Sequence, residues 1–462
     1  MNIEFNLKIF SFNKRISISR YWIQYGVIIA VVWMSVAAAY WGTQPILMLV
    51  VAAIVGIAGL LILMRYPNLG FILILVAGMF VPFSGPGGIN ASILSVILLM
   101  GIWLMDMFVV KRNFQFINSR TLRPAFYFIL VSILAFAMGQ IPWFVFANQA
   151  PIDAQVGGFA IYFFLLATMI MTANLIKDIR WLKTIVWVFV GLGMIYVIGR
   201  ALQLTIIDRI YQSGVYANSM FWMWLVALPL SQAIFNNHLS IRTRLLLYGI
   251  VALTFLVALL EQGDWRSGWV PAAVVAGVLF ALRFKRLTLL AIPFFVVVAV
   301  YLAQDLISTD SYSWGTRVDA WIVVLDISRV SPILGLGFAN YYWYADVFSI
   351  RGYHIKFNSH SQFVDIIAQT GILGLICFIW LLFEVGRLAW NLINKVPEGF
   401  AKGYAYGIFA SVFGSIMAAF LVDWLLPFAY NIGLDGARGS ILPWIFFGGL
   451  VSINQIYFGD QE

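Results

Sequence analysis

The sequence predicts an all-α, polytopic integral membrane protein with about 12 to 14 transmembrane helices. Of its 462 residues, 63% are hydrophobic and only 10% are charged. The apolar residues fall in runs of about 17 to 25, the length that an α-helix needs to cross roughly 30 Å of hydrocarbon. Each run is therefore predicted to be one membrane span.

Fourteen runs fit this length, in chain order. They cover 22–41, 45–64, 71–87, 92–110, 125–142, 157–175, 183–203, 217–235, 245–262, 268–283, 287–304, 361–385, 404–427 and 440–456. The run 71–87, which is interrupted by Pro82, Gly85 and Pro86, and the run 440–456 are the two that can be left out of this count. Twelve or thirteen spans therefore remain open.

The placement of lysine and arginine predicts which loops face the cytoplasm, because basic residues resist translocation. With the N terminus inside, 20 of the 28 basic residues fall on the cytoplasmic side. The polar segment 1–20 leads into the first span without a small-residue cleavage site, so a retained start helix is expected. The net charge of +9 is largely accounted for by the inner loops, which face anionic lipids, and it does not indicate nucleic acid.

The basic residues on the outer side are of an unusual kind, since seven of the eight are arginine. The planar guanidinium with its five donors suits bidentate capture of phosphate, so this bias favours a polyanionic ligand outside the membrane. The alternative is that these arginines pair with nearby acids such as Asp208, Asp264 and Asp319.

Three regions are predicted along the chain. Residues 1–304 hold eleven helices with short loops, 305–360 form one long extracytoplasmic loop, and 361–462 hold the C-terminal helices. The loop is rich in tryptophan, tyrosine and apolar residues, so it is expected to be ordered and functional.

An amphipathic helix against the membrane surface is predicted inside this loop, at 317–330. Pro332, Gly335 and Gly337 then end the helix and permit a turn. The tyrosines and tryptophans that follow suit either a membrane interface or stacking against sugar rings. The apolar positions of the helix are Val318, Trp321, Ile322, Leu325 and Val330.

A histidine stands where the loop enters the next span. Neutral His360 can take a proton from a hydroxyl near neutral pH; the alternative is a histidine that only caps the interface. Behind it, Gln362, Asp365 and Gln369 form a polar stripe on an apolar helix. Asp365 is expected either to orient a catalytic group or to pair with an arginine. About 140° of helix rotation separates it from His360, which argues against a direct dyad.

Three outer arginines accompany this histidine. Arg266 lies in a short turn between spans, Arg209 in another outer loop and Arg317 in the long loop. Three guanidinium groups and one imidazole suit the binding of a diphosphate while an acceptor hydroxyl is activated.

Other chemistries lack their motifs. The sequence has no GxSxG, P-loop or HExxH, and its one cysteine, Cys377, can form no intramolecular disulfide. No DxD-like acidic cluster falls on the outer side, so arginine is expected in place of a metal, and no cofactor is expected.

Four stretches carry a family resemblance. They are DRIYQSGVYANSMFWMWLVALPL, DWRSGW, GTRVDAWIVVLDISRVSPILGLGFANYY and SHSQFVDIIAQTGILGLI. Together they resemble the O-antigen ligase and O-antigen polymerase superfamily of bacterial membrane glycosyltransferases, in the order found in that family. One departure is the residue before Arg266, where the family's turn has serine.

The resemblance implies a glycosyltransferase of the bacterial inner membrane. It would move a saccharide from a polyprenyl-diphosphate-linked donor to a hydroxyl of a glycan, a lipid core or a protein, on the periplasmic or extracellular side. His360 would activate or orient the acceptor hydroxyl, Arg209 and Arg266 would hold the diphosphate, and Arg317 would support the loop or the phosphates.

Asp365, Gln362 and Trp321 are expected to support the site from the helices next to His360. The alternative function is a flippase for a lipid-linked saccharide or a transporter of an anionic substrate, since both use many spans and outer arginines.

Overall fold

The structure is a computed structural model, and it describes most of the chain. The described residues are 44–85, 88–113, 115–263, 265–286 and 311–459. The predicted spans 22–41 and 287–304 lie outside them.

The chain divides into two compact units, Met1–Tyr66 and Pro67–Glu462. In the first unit the described residues form one apolar helix, α1, Gln44–Arg65. All residues discussed below belong to the second unit.

The second unit is built from helices. In chain order they are α2 (Leu69–Phe80), α3 (Ala91–Met105), α4 (Arg123–Met138), α5 (Ile152–Leu175), α6 (Ile179–Ala201), α7 (Thr205–Ile210), α8 (Ser219–Phe235), α9 (Ile241–Gln262), α10 (Arg266–Arg283), α11 (Ser311–Ser328), α12 (Asn340–Tyr344), α13 (Gln362–Ile393), α14 (Phe400–Leu421) and α15 (Gly433–Phe458). Within the described residues, β structure is limited to two isolated bridges.

Seven helices in the described ranges are long and apolar enough to cross a membrane, judged by length and composition. They are Ala91–Lys111, α5, α6, Ile241–Glu261, α13, α14 and α15. Over the described residues the protein is thus all-helical, which is consistent with a polytopic membrane protein. Each predicted span that falls on described residues overlaps one helix.

Two predicted spans were too long at their C-terminal ends. The span 71–87 corresponds to α2, which ends at Phe80 because Val81 is extended ahead of Pro82. The span 404–427 corresponds to α14, which ends at Leu421. The residues 422–432 that follow contain no helix and lie beside the candidate site described below.

Helix α15 lies at the centre of the unit. In its most apolar stretch 78% of the residues are buried, against 33% for the peripheral Ile241–Glu261. A Cβ added at Gly448 would lie 2.5 Å from the Met169 carbonyl oxygen of α5. Glycine at this position therefore lets the two helices approach closely.

Helix α13 is broken at Gly371, whose φ of 68° and ψ of −170° are not helical. The backbone of the turn 332–337 satisfies the groups that the break exposes. The amides of Leu336 and Gly337 donate to the carbonyls of Ala368 and Gln369, at 2.8 and 3.1 Å. In return, the amides of Ile372 and Leu373 donate to Pro332 and Ile333, at 2.9 and 3.3 Å.

The residue at this chain break has to be glycine. A Cβ at Gly371 would lie 2.2 Å from the carbonyl oxygen of Ile333. Only glycine combines the positive φ with so close an approach of two backbones.

Helix α11 covers most of the predicted amphipathic segment and ends at Ser328. Ala320, Val324 and Ile327 are buried, whereas Ile322 and Leu325 are exposed. The buried face packs against a cluster that includes Leu336 and the tyrosines of α12. The helix therefore lies between the turn 332–337 and the end of α14, where the candidate site is built.

Candidate active site

His360 lies two residues before α13 in a left-handed backbone conformation, with φ of 49°. Its amide donates to the Asn358 side-chain oxygen at 2.7 Å. Non-glycine residues seldom adopt this conformation, and they keep it where neighbouring bonds impose it. The turn around His360 is thus held by its surroundings.

Ser359 supplies most of that support. Its carbonyl accepts a hydrogen bond from the Trp321 indole at 2.7 Å. Its hydroxyl donates to Asp365 at 2.7 Å and accepts from the Ser361 amide at 3.1 Å. Trp321 and Asp365, from two different helices, therefore act on the same serine, next to His360.

Asp365 is fully buried on the first turn of α13. Its Oδ1 also accepts a hydrogen bond from the Tyr341 hydroxyl. Its Oδ2 has no hydrogen-bond partner among the described residues. Of the two sequence interpretations, the geometry matches the one in which Asp365 orients the site, because its described partners are hydroxyl groups.

The rest of the polar stripe on α13 binds backbone. The Gln362 amide donates to the Leu426 carbonyl at 3.0 Å and accepts from the Leu426 amide at 2.8 Å. The Gln369 side-chain oxygen accepts from the Ala339 amide at 3.2 Å. The stripe thus attaches two non-helical segments to α13.

His360 and Arg317 line one cavity of about 570 Å³. This volume is in the range of small-molecule sites. Its other lining residues come from α11, from the segments around 350 and 430, and from α12. They are Thr316, Ala320, Tyr342, Ile350, Ile355, Lys356, Phe357, Asn358, Tyr430 and Asn431.

The surroundings of His360 favour its neutral form. Burial, and then the positive charge of Arg317, lower the pKa of His360 from its ordinary value. A neutral imidazole has a free ring nitrogen that can accept a proton. The cavity therefore combines a proton acceptor with a fixed cation.

An aromatic wall completes the cavity. The rings of Tyr342 and Tyr430 stack with centroids 4.5 Å apart. The ammonium of Lys356 lies 3.3 Å from the ring centroid of Trp343, and the Trp343 indole donates to the Tyr430 hydroxyl at 2.7 Å. Such faces suit stacking against sugar rings.

A second buried carboxylate, Asp423, was missed by the sequence reading. It accepts from the Phe428 amide and from the Asn431 side chain, both at 2.6 Å. Burial raises the pKa of Asp423 to about 6, although these two hydrogen bonds oppose the rise. The sequence did contain a signal for Asp423, because it is an acidic residue within the apolar run LVDWLL. Burying an acidic side chain in a membrane protein costs free energy, so such residues are often functional.

Arg317 and Arg266 both lie near the 422–432 segment. The Arg317 guanidinium donates to the Leu421 carbonyl at 3.4 Å. Arg266 begins α10, and the preceding Trp265 packs edge-on against Trp424 with ring centroids 5.4 Å apart. Arg266 is not part of the cavity lining.

Arg209 is exposed on α7 and is likewise outside the cavity lining. The neighbouring Asp208 pairs with Arg200 at 2.5 Å, and Arg200 also pairs with Glu261 at 2.8 Å. Arg351 pairs with Asp319 at 2.5 Å.

The structure thus brings His360, Arg317, Trp321, Asp365 and Gln362 together. Asp208 and Asp319 bind arginines other than the three predicted for the site.

In the described ranges, no three histidine, cysteine or acidic side chains are placed to hold a metal ion. Cys377 is buried and free.

Comparison with known proteins gives one match. Residues 249–379 match the family model described as O-Antigen ligase. No curated protein matches the chain. The matched range includes Arg266, Arg317, His360 and Asp365, and it ends before Asp423. This match, which covers part of the chain, confirms the resemblance to the O-antigen ligase and polymerase superfamily.

Proposed function

We propose that this protein transfers a saccharide from a polyprenyl-diphosphate-linked donor to an acceptor hydroxyl at the outer face of the bacterial inner membrane. The observation that carries the proposal is the cavity in which His360, with its lowered pKa, faces the Arg317 guanidinium. Within the superfamily, the reaction would be of the ligase or the polymerase type.

In this reaction the acceptor oxygen attacks the anomeric carbon of the donor. The proton of the hydroxyl passes to the neutral imidazole of His360, and the new glycosidic bond forms. The bond between the anomeric carbon and the diphosphate oxygen breaks, and polyprenyl diphosphate departs with the electron pair. Diphosphate is a good leaving group, so positioning and charge stabilisation supply most of the catalysis.

Arginine is proposed to stabilise the departing diphosphate. Arg317 lies in the cavity itself. Arg266, beside the segment that supplies Asn431, and Arg209 are proposed to hold the donor as their positions in the family motifs imply. Bidentate hydrogen bonds from guanidinium match the phosphate oxygens better than an ammonium does.

The membrane arrangement belongs to the same proposal. The chain would cross the membrane 12 to 14 times, as counted from the apolar runs. Each span would cross about 30 Å of hydrocarbon, and the N terminus would lie in the cytoplasm. The segment 305–360 would be an ordered loop on the outer side. The domain limits 1–304, 305–360 and 361–462 follow from it.

The rival function is a flippase or transporter. Such proteins usually bind substrate near the bilayer midplane between two related halves. Here the unusual polar residues gather in one cavity formed by α11, α12 and the segments that flank α13 and α14. That arrangement favours group transfer over transport.

A transfer assay in detergent separates the two functions. We expect the purified full chain, given a polyprenyl-diphosphate-linked saccharide and candidate acceptor glycans, to form glycosylated product and release polyprenyl diphosphate. A flippase forms no product without a sealed compartment. If vesicles show movement of the donor while detergent samples form no product, the transferase proposal is wrong.

A further inference from the structure

The break at Gly371 folds α13 sharply back. The rings of Phe363 and Phe378 pack with centroids only 5.9 Å apart. In an unbroken helix, the 15 residue steps from Phe363 to Phe378 would separate their Cα atoms by about 22 Å. The short helix before Gly371 therefore lies against the long one after it, and it carries Phe363 down along the side of the long helix.

This fold sets Phe363 into a groove between α13 and α14. The groove has a volume of about 580 Å³. Its walls are apolar side chains at helical spacing along both helices. They include Ile379, Phe383 and Trp390 of α13 and Phe409, Phe413 and Ile416 of α14.

One end of the groove is formed by residues that lie close in the chain to those of the candidate active site. Phe363 follows His360 by three residues, and α14 ends at Leu421, whose carbonyl accepts the hydrogen bond from Arg317. At the other end, Arg387 lines the groove and pairs with the buried Glu384 at 2.7 Å. From Ile379 to Trp390 the groove wall on α13 is about 16 Å long.

We infer that this groove holds the isoprenoid tail of the polyprenyl-diphosphate donor. The inference rests on the proposed function, because the donor's diphosphate must lie in the cavity that His360 and Arg317 line. A tail that leaves this cavity between α13 and α14 meets Phe363 first and then two aromatic-lined helix faces. A branched isoprenoid chain suits a groove of this shape, since its methyl groups fill the gaps between side chains.

Gly386 offers a way to fill the groove without disturbing the helices. It lines the groove, and a Cβ added there would lie 3.7 Å from Val412, an ordinary contact. Gly386→Leu should therefore occupy the space of the tail. Gly249→Leu is the matched control, because Gly249 is an exposed position on α9 with nothing within 4 Å of an added Cβ.

The first measurement is photocrosslinking of a photoreactive polyprenyl diphosphate to the full chain in detergent, with labelled peptides mapped by mass spectrometry. We expect label on α13 and α14, several-fold less label in Gly386→Leu, and no change in Gly249→Leu. Label elsewhere, or equal label in both variants, overturns the inference. Displacement of the probe by excess phosphatidylglycerol also overturns it, because the groove would then accept any acyl chain.

The second measurement compares donors of different tail length in the transfer assay. Gly386→Leu should raise the KM of a long-chain donor several-fold while leaving that of a two-isoprene donor near the wild-type value. An equal change for both donors contradicts a tail site. If the wild type labels in the groove but transfers no saccharide, the proposed function fails and the tail site stands.

Discussion

The Tyr341 hydroxyl donates to the Asp365 carboxylate, and through it the α12 segment is attached to the turn that carries His360. Asp365 and the Ser359 hydroxyl are 2.7 Å apart, and Ser359 immediately precedes the histidine. Tyr341, Ser359 and Asp365 are all buried. We propose that Asp365 positions His360 through Ser359.

Removing this carboxylate should disorder the turn. Asp365→Leu leaves the buried hydroxyl of Tyr341 without its acceptor, at a cost of about 1 to 3 kcal/mol. The Ser359 hydroxyl then keeps only the Ser361 carbonyl as acceptor. Asp365→Asn keeps an acceptor oxygen and should retain most of the stability. We expect kcat to fall in Asp365→Leu with little change in donor KM, measured beside thermal unfolding in detergent. Equal kcat in the two variants would argue against a positioning role.

Loss of His360 should affect turnover more than donor binding. General base catalysis contributes about 10²- to 10⁴-fold to a rate, so His360→Ala should lower kcat by a factor in this range. Donor affinity, measured by equilibrium binding, should stay close to that of the wild type. His354→Ala is the control, because His354 is exposed and lies outside the cavity lining. Full activity of a correctly inserted His360→Ala protein would exclude the assigned role.

The pH dependence of the activity should reveal the effect of the Arg317 charge on His360. Burial and Arg317 lower the pKa of His360, so the imidazole stays neutral at and above its ordinary pKa and is protonated only at lower pH. Activity should therefore fall as the pH drops through this lowered pKa. Arg317→Gln removes the neighbouring positive charge, so the pKa of His360 rises and the acidic limb of the kcat/KM profile moves to higher pH. An unmoved limb would contradict the electrostatic coupling.

Arginine substitutions should weaken both donor binding and turnover. Arg317→Gln, Arg266→Gln and Arg209→Gln are expected to raise donor KM and lower kcat, with lysine restoring activity only in part. Arg329→Gln is the control, because its side chain is 82% exposed and it pairs with Asp326, three residues earlier in the chain. Wild-type kinetics in Arg209→Gln or Arg266→Gln would remove that residue from the proposed site.

The break in α13 should not tolerate a side chain. Gly371→Ala places a Cβ 2.2 Å from the Ile333 carbonyl oxygen at a positive φ. The backbone strain alone costs about 1 to 3 kcal/mol, and the contact adds to it. We expect a lower unfolding temperature and lower activity than in Gly249→Ala, whose added Cβ has nothing within 4 Å. Unchanged stability would mean that the turn 332–337 moves aside readily.

Composition and periodicity carried the prediction of the membrane helices, because a span is defined by its length and apolarity alone. The four motifs predicted the superfamily, and His360, Arg317, Trp321 and Asp365 lie close together as a site requires. Asp423 was hidden in a predicted span because hydropathy averages over many residues and does not mark where α14 ends. The break at Gly371 was hidden because glycine in an apolar run also suits helix packing.

The order of apolar and basic residues by itself determined that this is a helical membrane protein, since hydrophobic length is a local property of the chain. Only the tertiary structure decided which polar groups meet. It buried Asp365 under Tyr341 and Ser359, left Arg209 outside the cavity lining and folded α13 back on itself. These outcomes depend on hydrogen bonds between segments far apart in sequence, such as 332–337 with the break at Gly371.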